Sequence, residues 1–460
     1  MATSINTIHN NGDATCDVGA QMHQTMETLF PLHRSITGEG VRETLRHLQG
    51  LLPLEIKEVP TGTAVFDWQV PQEWRLNDAH ISDVDGNRIV DYQNSNLQII
   101  SGSQPIQGTF TFQELRPHLM TLPEELNPSW IPYRTAFFRE AWGFCVSRNQ
   151  LDQLARNENE SFHVVIDSEF ADGSLTYGEA TITGQTEETI LVYAHICHPS
   201  LANDNLSGMV VAAYFANQLQ RRVADGDVPR KTYKFVFAPA TIGAITWLAR
   251  NESTISSISG GLILSLLGDS GKFTFKQSRQ ATSKINRTVA NALTQANVNF
   301  ETRPFTPFGY DERQFCSPGI DLPMACLMRT PNGEFPEYHT SGDNLKFVST
   351  ESLEESLRVV GCALTAFEQN ETPINDYPNC EPQLGERGLY RAFGQHDDRG
   401  RFQEAVMWVL NLADGEHDLV AIADRSCLPF DLIRESADVL FQHELIHFKQ
   451  CPQTPTRVTK

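Results

Sequence analysis

The sequence predicts an α/β protein in which helices flank a mostly parallel sheet, with a small β-rich domain inserted and a C-terminal winged-helix domain appended. Strand-length apolar runs alternate with helical segments through the middle of the chain. Short β-type runs separated by turn signals precede them, and a helix–turn–helix pattern follows them. With 460 residues, the chain is also too long for one ordinary hydrophobic core.

The α/β pattern is clearest after residue 160. Apolar runs of strand length occur at 162–170, 188–199, 233–240 and 260–269, and helical patterns occur at 22–51, 207–222, 244–252, 283–296 and 349–370. Near-continuous apolar runs separated by helices are typical of parallel strands that are covered on both faces. We therefore predict an α/β domain over 20–62 and 130–375.

Two further domains are predicted from changes in composition. Residues 63–129 contain short β-type runs and turn signals, which predict a small β-rich insertion. The Pro-rich stretch 371–383 predicts a linker, and residues 384–460 carry the helices of a winged-helix-like domain. From Gln383 onward there are nine Lys/Arg against twelve Asp/Glu, whereas a DNA-reading module is normally basic. A transcription regulator is therefore the weakest functional interpretation, and packing or protein contact is the expected use of this domain.

Charge and cysteine content narrow the class of protein. The formal net charge of −21 argues against a surface built for nucleic acid or anionic lipid. We expect no membrane-spanning segment and no signal peptide, because the apolar runs are short and the first residues are polar. Nine cysteines without a CxxC pair predict reduced thiols in a cytoplasmic protein. Formation of a homo-oligomer is left open.

The segment 193–208, YAHICHPSLANDNLSG, follows an apolar strand and leads into a helix. Sites of open α/β sheets form at the carboxyl ends of strands, so His195 and Asp204 can converge on one point. Imidazole nitrogen and carboxylate oxygen suit zinc. The alternative is that Asp204 caps the helix and His195 is a core histidine, and this segment alone does not decide between them.

A second segment, 335–345 or FPEYHTSGDNL, lies in a turn-rich loop before a helix. Its His339 is a candidate for the remaining ligand, since catalytic zinc has three protein ligands and one open position. A loop histidine is weak evidence without the first segment.

These two segments resemble the metal-binding motifs of the zinc aminopeptidases, a superfamily that includes the glutaminyl cyclases. The chain is more closely similar to bacterial aminopeptidase-like proteins that have a small inserted domain and a C-terminal winged helix. The resemblance also covers LFPLHRSITGEGVRETL, VPTGTAVFDWQVPQEW, DGSLTYGE and YDERQF, between residues 29 and 345. It implies that His195 is the first metal ligand, Asp204 the aspartate that bridges two zincs in the aminopeptidases, and His339 the final ligand. His198 is an alternative or additional ligand, and Cys197 stands where the superfamily has a supporting aspartate.

The chain departs from the superfamily where the second metal and the general base belong. Aminopeptidases carry a Glu-Glu pair after the next strand, and the related proteins keep one glutamate, whereas this chain has Ala240 and Thr241. In the aminopeptidases an aspartate after the third strand ligates the first zinc. This chain has no clear counterpart, since Ser265 falls near that position and Asp269 lies four residues later. We therefore expect one zinc or similar divalent ion per chain. Loss of a positioned base removes roughly 10²–10⁴-fold in rate unless another carboxylate replaces it. The candidates are Glu179, Asp311, Glu312, Glu337 and Asp343, and Glu337 is favoured because it is close to His339.

Other motif residues suggest contacts with a small-molecule or peptide substrate. Arg34, in a turn with Ser35, Thr37 and Glu39, could hold a carboxylate or amine, and Arg313 could pair with a substrate carboxylate. Tyr177 or Tyr310 could donate to a developing oxyanion. Ion pairing and packing explain each of these residues as well.

Two functions therefore compete. The first is a mononuclear metal enzyme that hydrolyses or cyclises an amide or amino-acid-like small molecule. Loss of the usual glutamate favours a role in specialised biosynthesis over broad protein turnover. The second is a catalytically inactive descendant that binds or regulates. Ala240 supports the second, and the retained set of His195, Asp204 and His339 supports the first.

Overall fold

The computed structural model of the chain describes residues 17–156, 160–389 and 398–449. Predictions that fall on residues 1–16 or 450–460, including Cys16 and Cys451, lie outside these ranges. The helices are α1 (Val18–Leu29), α2 (Glu39–Gln49), α3 (Phe112–Leu115), α4 (Arg148–Arg156), α5 (Gly208–Ala224), α6 (Ile242–Arg250), α7 (Lys284–Gln295), α8 (Glu312–Phe315), α9 (Thr350–Gln369), α10 (Arg399–Leu412), α11 (Leu419–Ser426) and α12 (Phe430–Gln442). The strands are β1 (Glu55–Pro60), β2 (Ala64–Val65), β3 (Trp68–Gln69), β4 (Glu73–Ser82), β5 (Arg88–Asp91), β6 (Ile106–Thr111), β7 (Leu119–Met120), β8 (Phe144–Cys145), β9 (Ser161–Ala171), β10 (Ser174–Ile182), β11 (Thr186–His195), β12 (Lys231–Ala238), β13 (Ile258–Leu264), β14 (Phe273–Lys276), β15 (Phe300–Arg303), β16 (Met324–Met328), β17 (Pro373–Asn375) and β18 (Ile446–Phe448).

The chain divides into two compact units. In the larger unit, an eight-stranded sheet has the order β1-β10-β12-β11-β13-β16-β14-β15. Its four central strands, β12, β11, β13 and β16, are parallel, whereas β10 pairs antiparallel with β1 and β12, and β14 pairs antiparallel with β16. The prediction of an α/β fold with flanking helices is confirmed, and the parallel pairing is concentrated at the centre of a mixed sheet.

Both faces of the central strands are buried, which explains their near-continuous apolar sequences. Tyr193, Val236, Ile263 and Cys326 form one row across the sheet and belong to the apolar core that also contains Trp247 of α6. Successive strand residues point to opposite faces. Accordingly Phe235, next to Val236, instead contacts Phe215 of α5 at a ring-centre distance of 6.1 Å. Helices α5 and α6 therefore cover opposite faces.

The inserted region forms a separate four-stranded antiparallel sheet of order β5-β4-β9-β6 with its own apolar core. Strand β9 carries the segment 162–170, which we predicted to join the α/β sheet, and that prediction is wrong. Its side chains alternate between buried and exposed positions, with Asp167 and Glu169 exposed. This alternation is typical of a strand with one buried face rather than of a strand inside a doubly covered sheet.

The smaller unit contains the three helices α10, α11 and α12 and the antiparallel pair β17–β18. Strand β17 lies inside 371–383, the segment predicted to be a linker. Its proline content suggested a linker, but Pro373 occupies the first position of a short strand, where proline is tolerated. On α12 the single arginine, Arg434, is already bound to Glu371 and Asp438. No helix in the described ranges is both long and apolar enough to cross a membrane.

Candidate metal centre

The metal candidates come from loops at the carboxyl ends of the central strands. His195 is the last residue of β11, and Asp204 lies in an irregular turn, Ala202–Ser207, that leads into α5. His339 lies in the loop after β16. Strand β11 is flanked by β12 on one side and β13 on the other, so the chain reverses its direction of winding here. Open α/β sheets bind their ligands at such a point.

The structure brings His195, Asp204 and His339 together around one carboxylate. Nε2 of His195 lies 2.9 Å from Oδ1 of Asp204, and Nε2 of His339 lies 3.0 Å from Oδ2. Asp204 is fully buried and the side chain of His339 is 29% exposed. Burial alone would raise the pKa of Asp204, but the surrounding histidines outweigh it and hold the pKa well below its usual range. The carboxylate is therefore ionised.

His198 is the fourth member of the cluster. Its Nε2 lies 4.0 Å from Oδ2 of Asp204, and its ring centre lies 5.0 Å from that of His195 and 5.2 Å from that of His339. One donor atom from each of His195, His198 and Asp204 lies within 4.8 Å of the others. Burial lowers the pKa of His198 to about 3, so the ring is neutral and can offer a lone pair.

The loop that carries Asp204 is held by two further aspartates. The Asp343 carboxylate accepts hydrogen bonds from the backbone N–H groups of Asn203 and Asp204, at 2.6 and 2.9 Å. The side-chain amide of Asn203 donates to Asp269 at 3.0 Å. Asp269 therefore supports the loop. Asp343, which we considered as a base, also has a supporting position.

The sequence Asn-Leu-Ser-Gly is explained by close packing at the start of α5. A Cβ atom on Gly208 would approach the backbone oxygen of Leu264 to 2.5 Å, closer than any side chain tolerates. The hydroxyl of Ser207 donates to the backbone oxygen of Asn203 at 2.7 Å. Small residues at these two positions thus allow the loop to lie against β13.

Aromatic rings enclose the imidazoles. Tyr310 stacks on His195 at a ring-centre distance of 5.4 Å, and Tyr338 stacks on His339 at 4.0 Å. Tyr133 contacts both His198 and His339 edge-on, and its backbone N–H donates to the backbone oxygen of His339. Sequence analysis missed Tyr133, because it acts through ring contacts and lies outside the segments that carry the family resemblance.

Ala240 lies just beyond the carboxyl end of β12, which is the strand next to β11. Its backbone N–H donates to the Cys197 sulfur at 3.3 Å. Cys197 is buried, and burial raises the pKa of its thiol to about 12, so it is a packed neutral thiol at neutral pH. Neither residue provides a carboxylate.

The carboxylates considered as general bases differ in their contacts and burial. No hydrogen bond or ion pair within the described ranges joins the side chain of Glu337, the residue favoured from the sequence, to the cluster. Glu179 accepts from Trp247, and Glu312 pairs with Lys276. Asp311 is fully buried, and neither of its oxygens makes a hydrogen bond of good geometry, although the Tyr193 hydroxyl is close enough to favour its ionised form. Burial raises the pKa of Asp311 to about 6, although the charge of nearby His195 opposes the shift.

The proposed substrate contacts also differ in their placement. Arg34 is buried, and its guanidinium donates to the backbone oxygens of His198 and Leu29, with Nη2 unpartnered. Tyr310 is buried beside His195 with an unpartnered hydroxyl, and burial keeps its pKa well above 10.

Tyr177 and Arg313 do not join the four-residue cluster through any contact within the described ranges. Burial raises the pKa of Tyr177 to about 12, and the charges that act on it are those of Glu179, Arg250 and Glu55. The role of Tyr177 as a donor to a developing oxyanion stays a prediction. Its side chain belongs to the apolar core that also contains Trp247 of α6.

The residues present fit a divalent metal ion. Three imidazoles and one ionised carboxylate surround a buried point, and this donor set suits zinc. A buried carboxylate surrounded by imidazoles and aromatic rings is otherwise costly.

Comparison with known proteins agrees with this fold. The family described as "Domain of unknown function (DUF4910)" matches residues 23–370, and a family described as winged helix-turn-helix matches residues 371–448. A Clostridium acetobutylicum protein named "Putative polysaccharide biosynthesis protein with aminopeptidase-like domain" is 41% identical over 430 residues, which cover 94% of this chain and 96% of that protein.

Solved structures show the same relationship. The crystal structure of a "putative peptidase" from Clostridium acetobutylicum is 40% identical, with a TM-score of 0.85 over 94% of this chain and 97% of that chain. The zinc aminopeptidase BSAP from Bacillus subtilis is similar in fold, with 14% identity and a TM-score of 0.56 over 77% of this chain and 95% of that one. The chain therefore belongs to the DUF4910 family, and it combines an aminopeptidase-like fold with a C-terminal winged helix.

Proposed function

We propose that the protein is a metal-dependent enzyme that hydrolyses or cyclises an amide in an amino-acid-like small molecule. The observation that supports this most directly is the buried carboxylate of Asp204, which has His195 on one oxygen and His339 on the other. Retention of such a cluster after loss of the usual glutamate favours a specialised reaction over general protein turnover.

Asp204 and the imidazoles of His195, His198 and His339 would hold the ion, and zinc is the metal that this donor set suits. One ion per chain is proposed, because Ala240 and Thr241 cannot supply a second carboxylate. When bound, such an ion polarises a substrate carbonyl and lowers the pKa of water.

The chain's own residues would orient the substrate and move protons. The Tyr310 hydroxyl is protonated, buried and unpartnered, and so can donate to an oxygen that gains negative charge. Asp311, rather than Glu337, is the better-placed proton acceptor, since it is fully buried and close enough to His195 for their charges to interact. Arg34 would favour a substrate that carries an anionic group near His198.

The 41% identical relative is named as a polysaccharide biosynthesis protein. We therefore propose sugar-derived amides as the first substrate class to test, and a biosynthetic rather than a degradative reaction. The seven cysteines in the described ranges are all free, which supports a cytoplasmic location. Because α12 has one arginine against three carboxylates, we propose that the winged helix does not read DNA.

The first experiment is metal analysis of the purified protein by mass spectrometry, with Asp204→Ala as the comparison. We expect about one divalent ion per wild-type chain and loss of that ion in the variant. The loaded protein is then screened with N-acylated amino sugars, amino-acid anilides and glutaminyl peptides. No metal after loading would contradict the proposal, whereas metal without any product would favour the inactive binding protein.

A further inference from the structure

The larger unit contains a cleft of about 500 Å³ beside the start of β4. Clefts of this size hold small ligands. We propose that this cleft binds a sugar ring of the substrate, next to the amide that reacts at the metal centre. The inference rests on the proposed function, because it names the part of the substrate that lies beyond the reacting bond.

Two walls of the cleft are continuous with the metal centre. One wall contains Ile36. Arg34, two residues earlier, donates to the backbone oxygen of His198 at 2.8 Å. The other wall contains Phe137, four residues after Tyr133, whose ring centre lies 5.1 Å from that of His198. Since two residues span at most about 7 Å and four at most about 14 Å, one substrate can reach from the cleft to the histidines.

Aromatic rings supply the apolar surface of the cleft. Four aromatic residues line it, Trp74, Phe137, Phe138 and Phe170. Trp68 extends this surface, because it meets Phe138 edge-on at a ring-centre distance of 5.3 Å. Trp68 and Phe138 are 44% and 57% exposed, which leaves both rings open to a ligand. The C–H bonds on one face of a sugar ring pack well against an aromatic ring, because the face of the aromatic ring is electron-rich.

The polar groups of the cleft favour a sugar over an apolar ligand. The side chains of Gln72 and Gln104 line it. An amide has both donors and an acceptor and can therefore bind hydroxyl groups in either direction. Gln72 donates to Asp172 at 3.2 Å, whereas no residue in the described ranges forms a hydrogen bond with the side chain of Gln104. Gln104 is therefore available to a ligand.

Backbone hydrogen bonds hold the wall that contains Phe137. The N–H of Ser101 donates to the backbone oxygen of Arg134 at 3.0 Å, and the N–H of Ala136 donates to that of Ser101 at 2.8 Å. Gly102 has a φ of +87°, and a Cβ atom there would approach the ring of Phe137 to 2.9 Å. Glycine thus allows the two segments to pack closely. A wall that is already ordered loses little entropy when a ligand binds.

A second cleft, of about 470 Å³, also borders on Trp74. Its arginine, Arg42, is bound to Glu39, Glu58 and Glu73. The charged groups of the second cleft therefore satisfy one another, whereas the first cleft presents open rings and an available amide. This difference selects the first cleft.

Calorimetric titration of the full-length protein tests the inference. The probes are N,N′-diacetylchitobiose, cellobiose and maltose, and we expect at least one to bind the wild type. Trp68→Ala and Phe138→Ala should each raise the Kd of that sugar roughly fivefold or more, because a stacking ring is lost. Phe441→Ala is the matched control, since it removes a ring of similar exposure, 51%, from α12. It should leave the Kd unchanged.

Gln104→Leu distinguishes a sugar from an apolar ligand, because leucine keeps an apolar side chain in the cleft and lacks hydrogen-bonding groups. We expect it to weaken binding of the sugar. N-acetylphenylalanine amide is titrated in parallel as a probe without a sugar ring. Tighter binding of this amide than of any sugar, strengthened by Gln104→Leu, overturns the inference in favour of an apolar pocket.

The titrations are made with and without added zinc, so that two failures can be told apart. A wild-type protein that binds metal and none of the three sugars overturns this inference and leaves the proposed function standing. A protein that binds sugar but no metal overturns the proposed function instead. Equal Kd values in the wild type, Trp68→Ala and Phe138→Ala would place the sugar outside the cleft and also overturn the inference.

Discussion

The Asp343 carboxylate accepts a hydrogen bond from the backbone N–H of Asp204 at 2.9 Å, although the two residues are 139 positions apart. Its other oxygen accepts from the N–H of Asn203. The loop after β11 and the loop after β16 are thus tied together immediately behind the proposed metal ligand. Because Asp204 has non-helical backbone angles within its turn, the loop depends on these side-chain bonds.

We therefore expect Asp343→Asn to weaken metal binding. The amide offers one acceptor for two N–H groups and turns a donor toward the other, which costs about 1–3 kcal/mol of folding stability. Disturbing a group that supports a ligand typically costs 10–100-fold in metal affinity. Urea unfolding and chelator competition measure the two effects.

Asp167→Asn is the matched control, since Asp167 is exposed on β9. It should leave both quantities unchanged. Unaltered metal affinity in Asp343→Asn would show that the carboxylate does not position Asp204.

The convergence of His195, Asp204 and His339 could be anticipated because they lie in two short segments that resemble a known metal-binding motif, and the first of these segments follows a strand. The aromatic rings around the imidazoles could not be predicted in this way. Tyr133 and Tyr310 contact the imidazoles through ring packing that depends on tertiary structure. Glu337 was favoured by its proximity in sequence to His339, yet two residues in a tight turn need not face the same way. Strand β9 was misplaced although its alternation between buried and exposed residues was visible in the sequence.

A second prediction concerns the missing glutamate. Ala240→Glu places a carboxylate beyond the end of β12, where the related proteins are expected to carry one. Since a positioned base contributes roughly 10²–10⁴-fold, we expect at least a tenfold faster turnover of amino-acid anilides by the zinc-loaded protein. The assay follows anilide release.

Ala240→Gln is the control for size, because glutamine occupies the same volume without basicity. Equal rates for the two variants would mean that the added carboxylate does not reach the reacting atoms. A rise to about two metal ions per chain in Ala240→Glu alone would identify the carboxylate as a ligand instead.

A third prediction separates Asp311 from Glu337. If Asp311 accepts the proton, Asp311→Asn lowers the rate on the substrate found by screening by roughly 10²–10⁴-fold, whereas Glu337→Gln changes it less than about tenfold. Because burial disfavours the ionised form of Asp311 and raises its pKa to about 6, removing the charge in Asp311→Asn should also leave stability equal or higher. Rate and melting temperature are measured on the same preparations. A loss of both in Asp311→Asn would indicate a structural role.

The final prediction concerns stability in acid. His33 is half-buried with its Nε2 unpartnered, and its Nδ1 shares a hydrogen bond with the Tyr92 hydroxyl at 2.9 Å. Burial, together with the charge of Arg34, lowers the pKa of His33 from 6.5 to about 4.

Between these two values the unfolded chain binds the proton and the folded chain does not, so the free energy of unfolding falls as the pH falls from about 6.5 to about 4. The contribution of His33 approaches about 3 kcal/mol at the acidic end and is about 2 kcal/mol at pH 5. Asn lacks this titration and keeps an acceptor near Nδ1. We expect the loss of stability between pH 7 and pH 5, measured by urea unfolding, to be about 2 kcal/mol smaller in His33→Asn than in the wild type. His163→Asn, at an exposed position of β9, should behave as the wild type does. Equal losses in His33→Asn and the wild type would place the acid sensitivity elsewhere in the chain.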